Sequence, residues 1–172
     1  MNIQLKGSKY VVIKSLTWKE RIKAALILVV IMFPLSFLFE LLGLGWLFGN
    51  EGSAEANSWM AEAGLFIFSL FTLLPLLTLL EEFLFRYLPY RISALSKQRY
   101  FWYFGIVSTL AFAWSHSLIG LKDFSGLPIP QLIAGVYLWM YIPSGYKNVF
   151  WIHYFFNVFV GVIVLILIHL KI

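Results

Sequence analysis

The strongest constraint on the fold is a long uncharged stretch near the middle of the chain. Ala63 to Leu80 form 18 consecutive residues without a charged side chain, and the apolar pattern continues past two glutamates to about Tyr90. A helix of this length can cross the hydrocarbon core of a bilayer. The stretch therefore predicts a membrane-spanning α-helix that carries acidic side chains within its apolar run.

The composition extends this prediction to the whole chain. Of the 172 residues, 61% are hydrophobic and only 12% are charged, and the mean hydropathy is +0.85. A soluble domain of this size cannot bury so much apolar surface. The sequence predicts an all-α, polytopic membrane bundle of about five transmembrane or membrane-buried helices, at 24–48, 63–90, 100–121, 131–142 and 148–170.

The fourth of these segments is short. Its 12 residues make about 18 Å of helix, against a hydrocarbon core of about 30 Å. Three arrangements stay open: the helix extends into neighbouring residues, it tilts, or it is buried in protein without spanning.

The basic residues indicate which side of the membrane each end occupies. Six of the 13 Lys and Arg residues fall within residues 1–23, which we interpret as a basic cytoplasmic tail before a single membrane-embedded domain at 24–172. Lys and Arg concentrate in cytoplasmic loops. The N-terminus, the 91–99 loop and Lys147 are thus predicted to be cytoplasmic in a multi-pass protein of the cell membrane, and the 49–59 loop to be external. The basic residues form no nucleic-acid-binding surface, and the absence of Cys excludes disulfides and cysteine nucleophiles.

Two adjacent glutamates inside the second segment are the first candidates for function. A carboxylate at the bilayer centre costs about 2.5–3.5 kcal/mol on insertion scales. Arg86 follows Glu82 by four residues, which is ion-pair spacing on one helix face. Glu81 points about 100° away and needs a partner on another helix. A purely structural polar cluster between helices is the alternative interpretation.

Three clusters with polar side chains each contain two residues at i, i+4 spacing, which lie on one helix face. They are Glu81-Glu82-x-x-x-Arg86, Phe112-x-x-x-His116 and His153-x-x-x-Asn157. A lone histidine in a membrane helix is more often a structural hydrogen-bond partner than a catalyst. Three such clusters in a chain this poor in polar residues predict that the polar faces converge on one buried pocket.

The predicted depths of Glu81 and His116 in the membrane argue against their convergence on one pocket. Counted from the flanking basic residues, Glu81 lies about 15 Å from Arg91, whereas His116 lies about 26 Å from Arg99. Convergence then requires the third helix to begin inside the cytoplasm or to tilt strongly.

The order of the three motifs resembles the CPBP family of intramembrane proteases, over about residues 74–161. That family includes the type II CAAX prenyl endopeptidases and bacteriocin-processing and immunity relatives. The resemblance implies hydrolysis of a peptide or lipid-anchored protein substrate by an activated water. It implies catalytic roles for Glu81, Glu82, His116, His153 and Asn157, and orienting roles for Arg86 and Phe112.

The residues are compatible with two forms of this chemistry. In a metal-free form, Glu81 is the general base, His116 orients the proton, and His153 and Asn157 donate hydrogen bonds to the oxyanion. In a zinc form, Glu81, His116 and His153 are three protein ligands with one open position. Two other classes of function stay open: a non-catalytic binding protein of the bacteriocin-immunity type, and a proton-coupled transporter.

Overall fold

The computed structural model describes residues 15–41, 68–96, 99–120 and 129–170, and all of its regular elements in these ranges are helical. The prediction of an all-α fold is confirmed for this part of the chain. The helices are α1 (Trp18–Leu41), α2 (Leu73–Glu82), α3 (Leu88–Leu95), α4 (Phe101–Gly120), α5 (Ile129–Tyr141) and α6 (Tyr146–Leu170). A π-helical turn, Phe83–Tyr87, joins α2 to α3, and a 3₁₀ turn, Ile142–Ser144, follows α5.

Parts of the predicted segments and loops lie outside the described ranges, namely residues 1–14, 42–48, 49–59, 63–67 and Lys97. Among the residues that are described, no helix combines the length and the apolar character needed to cross a membrane.

The first helix begins earlier than the apolar run, because its start carries a capping motif. The Thr17 hydroxyl accepts from the Glu20 amide at 3.4 Å, and the Glu20 carboxylate accepts from the Thr17 amide at 2.6 Å. This reciprocal pair satisfies two amides that would otherwise lack partners. Trp18–Lys23, which the sequence assigns to the tail, are therefore helical.

The second predicted segment is interrupted before its proline. Residues 68–71 are helical, Thr72 forms a turn, and α2 begins at Leu73. Pro75 thus lies in the first turn of α2, where a missing N–H is tolerated. A new helix thus starts just before Pro75.

The π-helical turn has a local cause in the sequence. Pro89 lies four residues after Phe85, so it supplies no N–H to the Phe85 carbonyl and crowds it sterically. The backbone widens into the π turn, and the Leu88 amide bonds to the Phe83 carbonyl. The Ser108 hydroxyl on α4 donates to the freed Phe85 carbonyl. The turn begins directly after Glu82 and includes Arg86, the other member of the predicted ion pair.

Contacts between helices fix the relative direction of two helix pairs. Along α4 and α5, Phe101 packs on Trp139, while a Cβ on Gly135 would contact Thr109, which is an antiparallel register. Along α2 and α6, Thr78 meets Asn157 and Tyr146 reaches Leu79, again antiparallel.

The core lies between α1, α5 and the start of α6. Ala25, Leu138, Ile142 and Ile152 are buried there. The Tyr137 hydroxyl ties α5 to α1 by donating to the Ala24 carbonyl at 2.9 Å. This packing anchors the first part of α6, which carries His153.

Candidate active site

The centre of the site is a fully buried ion pair. Arg86 Nη1 lies 3.6 Å from Glu82 Oε1, and both side chains have 0% exposure. The predicted pairing of these two residues is therefore present. Within the described ranges the guanidinium makes no hydrogen bond, and its carbon lies 3.8 Å from the centroid of the Phe112 ring. The charge of Arg86 is thus balanced by one carboxylate and one aromatic face.

The same carboxylate also holds a histidine, which sequence reasoning did not foresee. His153 Nδ1 lies 2.7 Å from Glu82 Oε1. A carboxylate paired with Arg86 only accepts hydrogen bonds, so Nδ1 carries the proton and donates. Glu82 fixes both the ring orientation and the tautomer of His153, in addition to its predicted pairing with Arg86.

Glu81 faces both histidines, as the sequence predicts for a glutamate without a partner on its own helix. One oxygen lies 3.7 Å from His116 Nε2 and the other lies 3.9 Å from His153 Nε2. The Glu81 side chain is 26% exposed, whereas its neighbour Glu82 is fully buried. The two carboxylates therefore occupy different environments.

The predicted difference in depth between Glu81 and His116 is absent, because α3 continues beyond Arg91 to Leu95. Glu81 lies 14 residues before Leu95 and His116 lies 15 residues after Phe101, the start of α4. These separations correspond to about 21 and 22 Å of helix. The two residues are thus nearly equidistant from the hairpin and meet without a strong tilt.

His116 is held by its own helix. Its Nδ1 lies 3.0 Å from the Phe112 carbonyl, which can only accept, so Nδ1 donates. The Phe112 ring, which is buried, lies edge-on to the His116 ring at 4.4 Å between centroids. As a result, His116 and His153 both direct Nε2 toward Glu81.

Asn157 lies one turn beyond His153 and has a partner on α2 that the motifs do not include. Its amide Nδ2 lies 3.4 Å from the Thr78 hydroxyl, which is fully buried. Thr78 precedes Glu82 by four residues and is the only hydroxyl residue in the ten residues of α2. That i, i+4 relation to Glu82 is the sequence signal that would have identified it.

A cavity of about 320 Å³ opens beside the histidines. His116, His153 and Asn157 contribute polar atoms to its wall, and Gln131 of α5 contributes a fourth polar side chain. The rest of the wall is largely apolar. A volume of this size lies at the lower end of the range of small-ligand sites, about 300–1,000 Å³.

Tyr146 connects the start of α6 to α2. Its hydroxyl donates to the Leu79 carbonyl at 2.7 Å, and its ring packs 5.2 Å from that of Tyr87. Partial burial, with a smaller contribution from the Glu82 carboxylate, raises the pKa of the Tyr146 hydroxyl. The hydroxyl therefore stays protonated and keeps donating to the carbonyl at neutral pH and above.

Gly135 allows α5 to approach the ion pair. A Cβ at this position would lie 2.7 Å from Thr109 Cγ2 and 3.3 Å from Arg86 Nη2. The absent side chain is thus required for the close contact of α4 and α5 beside the guanidinium. A single glycine between apolar residues gives no indication of this role in the sequence.

The two predicted histidine ligands present unprotonated Nε2 atoms, as zinc requires, but they and Glu81 are not arranged around a metal position. Both Nε2 atoms, unprotonated in the neutral rings, face Glu81. Across the described ranges, however, no group of three or more His, Asp or Glu side chains is placed to hold a metal ion. Zinc binding by Glu81, His116 and His153 stays a prediction.

Comparison of this chain with models of protein families, with curated proteins and with solved structures finds no match. The resemblance to the CPBP proteases stays a prediction that rests on the three motifs.

Proposed function

We propose that this protein is a membrane-embedded endopeptidase that hydrolyses a peptide bond in a membrane-proximal peptide or lipid-anchored protein. One observation carries the proposal: the Glu81 carboxylate faces two imidazoles whose Nδ1 atoms are fixed by other groups. A partly exposed carboxylate beside two oriented imidazoles is an arrangement suited to moving a proton from water. A structural cluster would not require both rings to present Nε2 to the same carboxylate.

The distribution of polar and apolar side chains supports a lipid environment. Glu82 and Arg86 are completely buried, whereas large apolar side chains are exposed, such as Val30 at 68%, Phe71 at 75% and Leu76 at 64%. Extended apolar surface of this kind marks an interaction with a partner or a membrane. In a bilayer these side chains contact lipid, and the buried charges stay within the protein.

The predicted sidedness is supported by a contact between the first and last helices. Arg21 Nε donates to Asn148 Oδ1 at 2.9 Å, and the Trp18 and Trp151 rings pack with centroids 4.8 Å apart. The start of α1 thus lies beside the start of α6, next to Lys147. This proximity is expected if the N-terminus and Lys147 face the same compartment.

The proposed chemistry follows from the orientation of four polar side chains, those of Glu81, His116, His153 and Asn157. Glu81 accepts a proton from a water that hydrogen-bonds to both its carboxylate and His116 Nε2, and the water oxygen bonds to the substrate carbonyl carbon. The Asn157 amide donates to the oxyanion that forms. Glu81 then returns the proton to the amide nitrogen, the C–N bond breaks, and a carboxylic acid and an amine leave.

The predicted role of His153, donation of a hydrogen bond to the oxyanion, depends on whether its ring is protonated. Because its Nδ1 proton is committed to Glu82, the neutral ring presents a lone pair at Nε2 and cannot donate to an oxyanion. Only the imidazolium form donates from both nitrogens. Asn157 is therefore the neutral donor of the site, and His153 contributes only when it is protonated.

The test is cleavage of a peptide library by the purified full-length protein in detergent, with products identified by mass spectrometry. We expect cleavage by the wild type and none by Glu81→Gln or His116→Ala. His169→Ala is a matched control, since His169 lies 16 residues beyond His153, about 24 Å along α6.

The same variants distinguish the binding-protein alternative. Cleavage that survives Glu81→Gln would refute the proposed chemistry. A cellular effect that survives both Glu81→Gln and His116→Ala, in a protein without peptidase activity, would support binding in place of catalysis.

A further inference from the structure

The cavity contains a polar residue that the proposed chemistry does not use. Gln131 lies in the first turn of α5, outside all three motifs, and its side chain lines the same wall as His116 and His153. The Gln131 Oε1 atom is buried and has no hydrogen-bond partner among the described residues. A buried acceptor left unpaired costs about 1–3 kcal/mol, so a ligand that supplies a donor is favoured at this position.

The surroundings of Gln131 restrict the ligand. Met32, Phe33, Phe156 and Val160 line the cavity without a charged group. An apolar side chain fits this wall, and a neutral N–H group fits the carbonyl of Gln131. A peptide residue with an apolar side chain provides both groups.

We propose that Gln131 is a substrate-binding residue, which accepts a hydrogen bond from a main-chain N–H of a peptide whose neighbouring apolar side chain occupies the cavity. This inference deepens the proposed peptidase function and rests on it for the identity of the ligand. In this proposal Gln131 contributes to substrate affinity and to the position of the scissile bond, whereas Glu81 transfers the proton.

The experiment uses a probe that binds without being cleaved. The probe is N-acetyl-photoleucine methylamide, which has an apolar photoreactive side chain and two N–H groups. Two analogues each lack one N–H, one by replacement of the acyl N–H with an ester oxygen and the other as a dimethylamide. The full chain carrying Glu81→Gln is illuminated in detergent with each probe, and the labelled residues are identified by mass spectrometry.

We expect the parent probe to label residues that line the cavity. One of the two analogues should label these residues about tenfold less, because the loss of one hydrogen bond lowers affinity by about that factor. Gln131→Met keeps the length of the side chain and removes the amide. It should lower labelling by the parent about tenfold and remove the difference between the parent and that analogue.

The control is Val136→Ala, on the exposed face of the same helix, which should leave labelling unchanged. Equal labelling of Gln131→Met and its parent protein would overturn the assignment, as would a preference among probes that persists in Gln131→Met. Labelling spread evenly over the exposed faces of the helices would show that the cavity does not bind the probe. Because the probe is bound in a Glu81→Gln background, the absence of peptide cleavage would refute the peptidase proposal without affecting these readouts.

Discussion

The two adjacent glutamates permit a matched substitution, because each can be changed to Gln without a change of shape. Glu82→Gln removes the only carboxylate that lies within 4 Å of Arg86 among the described residues. The guanidinium is fully buried and makes no hydrogen bond among the described residues, so it would be left as a buried charge beside the Phe112 ring, with no carboxylate within 4 Å. Breaking a buried pair by removing one partner costs about 3–5 kcal/mol.

This cost can be expressed as a melting temperature. For a domain of 150–250 residues, 1 kcal/mol shifts Tm by about 2–4 °C, so Glu82→Gln is expected to lower Tm by about 6–20 °C. Glu81→Gln is the control: the side chain is 26% exposed and its nearest ionisable partners are histidines at 3.7 and 3.9 Å. Its melting temperature should stay close to that of the wild type.

The assay is thermal unfolding of the purified variants in one detergent, followed by tryptophan fluorescence. A second change, Arg86→Met in the Glu82→Gln protein, removes the stranded charge and should restore most of the lost stability. The Gln side chain still accepts from His153 Nδ1 in both proteins, so that hydrogen bond is held constant. A Glu82→Gln protein that melts with the wild type, or a double variant less stable than the single one, would refute the reasoning.

Three further predictions concern metal, topology and packing. If zinc is bound, purified protein should contain near-stoichiometric metal that His153→Ala abolishes, whereas full peptidase activity after metal stripping would establish the metal-free mechanism. Single cysteines placed at Lys97 and at Glu55 should react with an impermeant reagent from opposite sides of the membrane, and reaction from the same side would refute the topology. Gly135→Ala should destabilise the protein by about 1–3 kcal/mol, the usual range for overpacking. In the same unfolding assay Val136→Ala, on the exposed face of α5, should have little effect, and equal Tm values for the two variants would contradict the close helix contact.

The local features of this chain follow from its sequence because they depend on periods of a few residues. The apolar runs predict the helices, and the structure places helices at each of them where the chain is described. The spacing of Glu82 and Arg86 predicts an ion pair on one helix, and the pair is present. The capping motif at Thr17 and the effect of Pro89 on the Phe85 carbonyl are also local, although neither was predicted from the sequence.

The detailed geometry of the contacts between helices was decided by the tertiary structure. The hydrogen bond from His153 to Glu82 joins residues 71 positions apart, and the cavity that includes Gln131 forms only where four helices meet. Helical spacing fixes which side chains share a face, but it does not fix the rotation or depth of one helix relative to another. Those are set by packing, such as the close contact at Gly135. For this reason the sequence identified Glu81 and the histidines as candidates, while the dual role of Glu82, the position of Thr78 and the orientation of both imidazoles required the folded bundle.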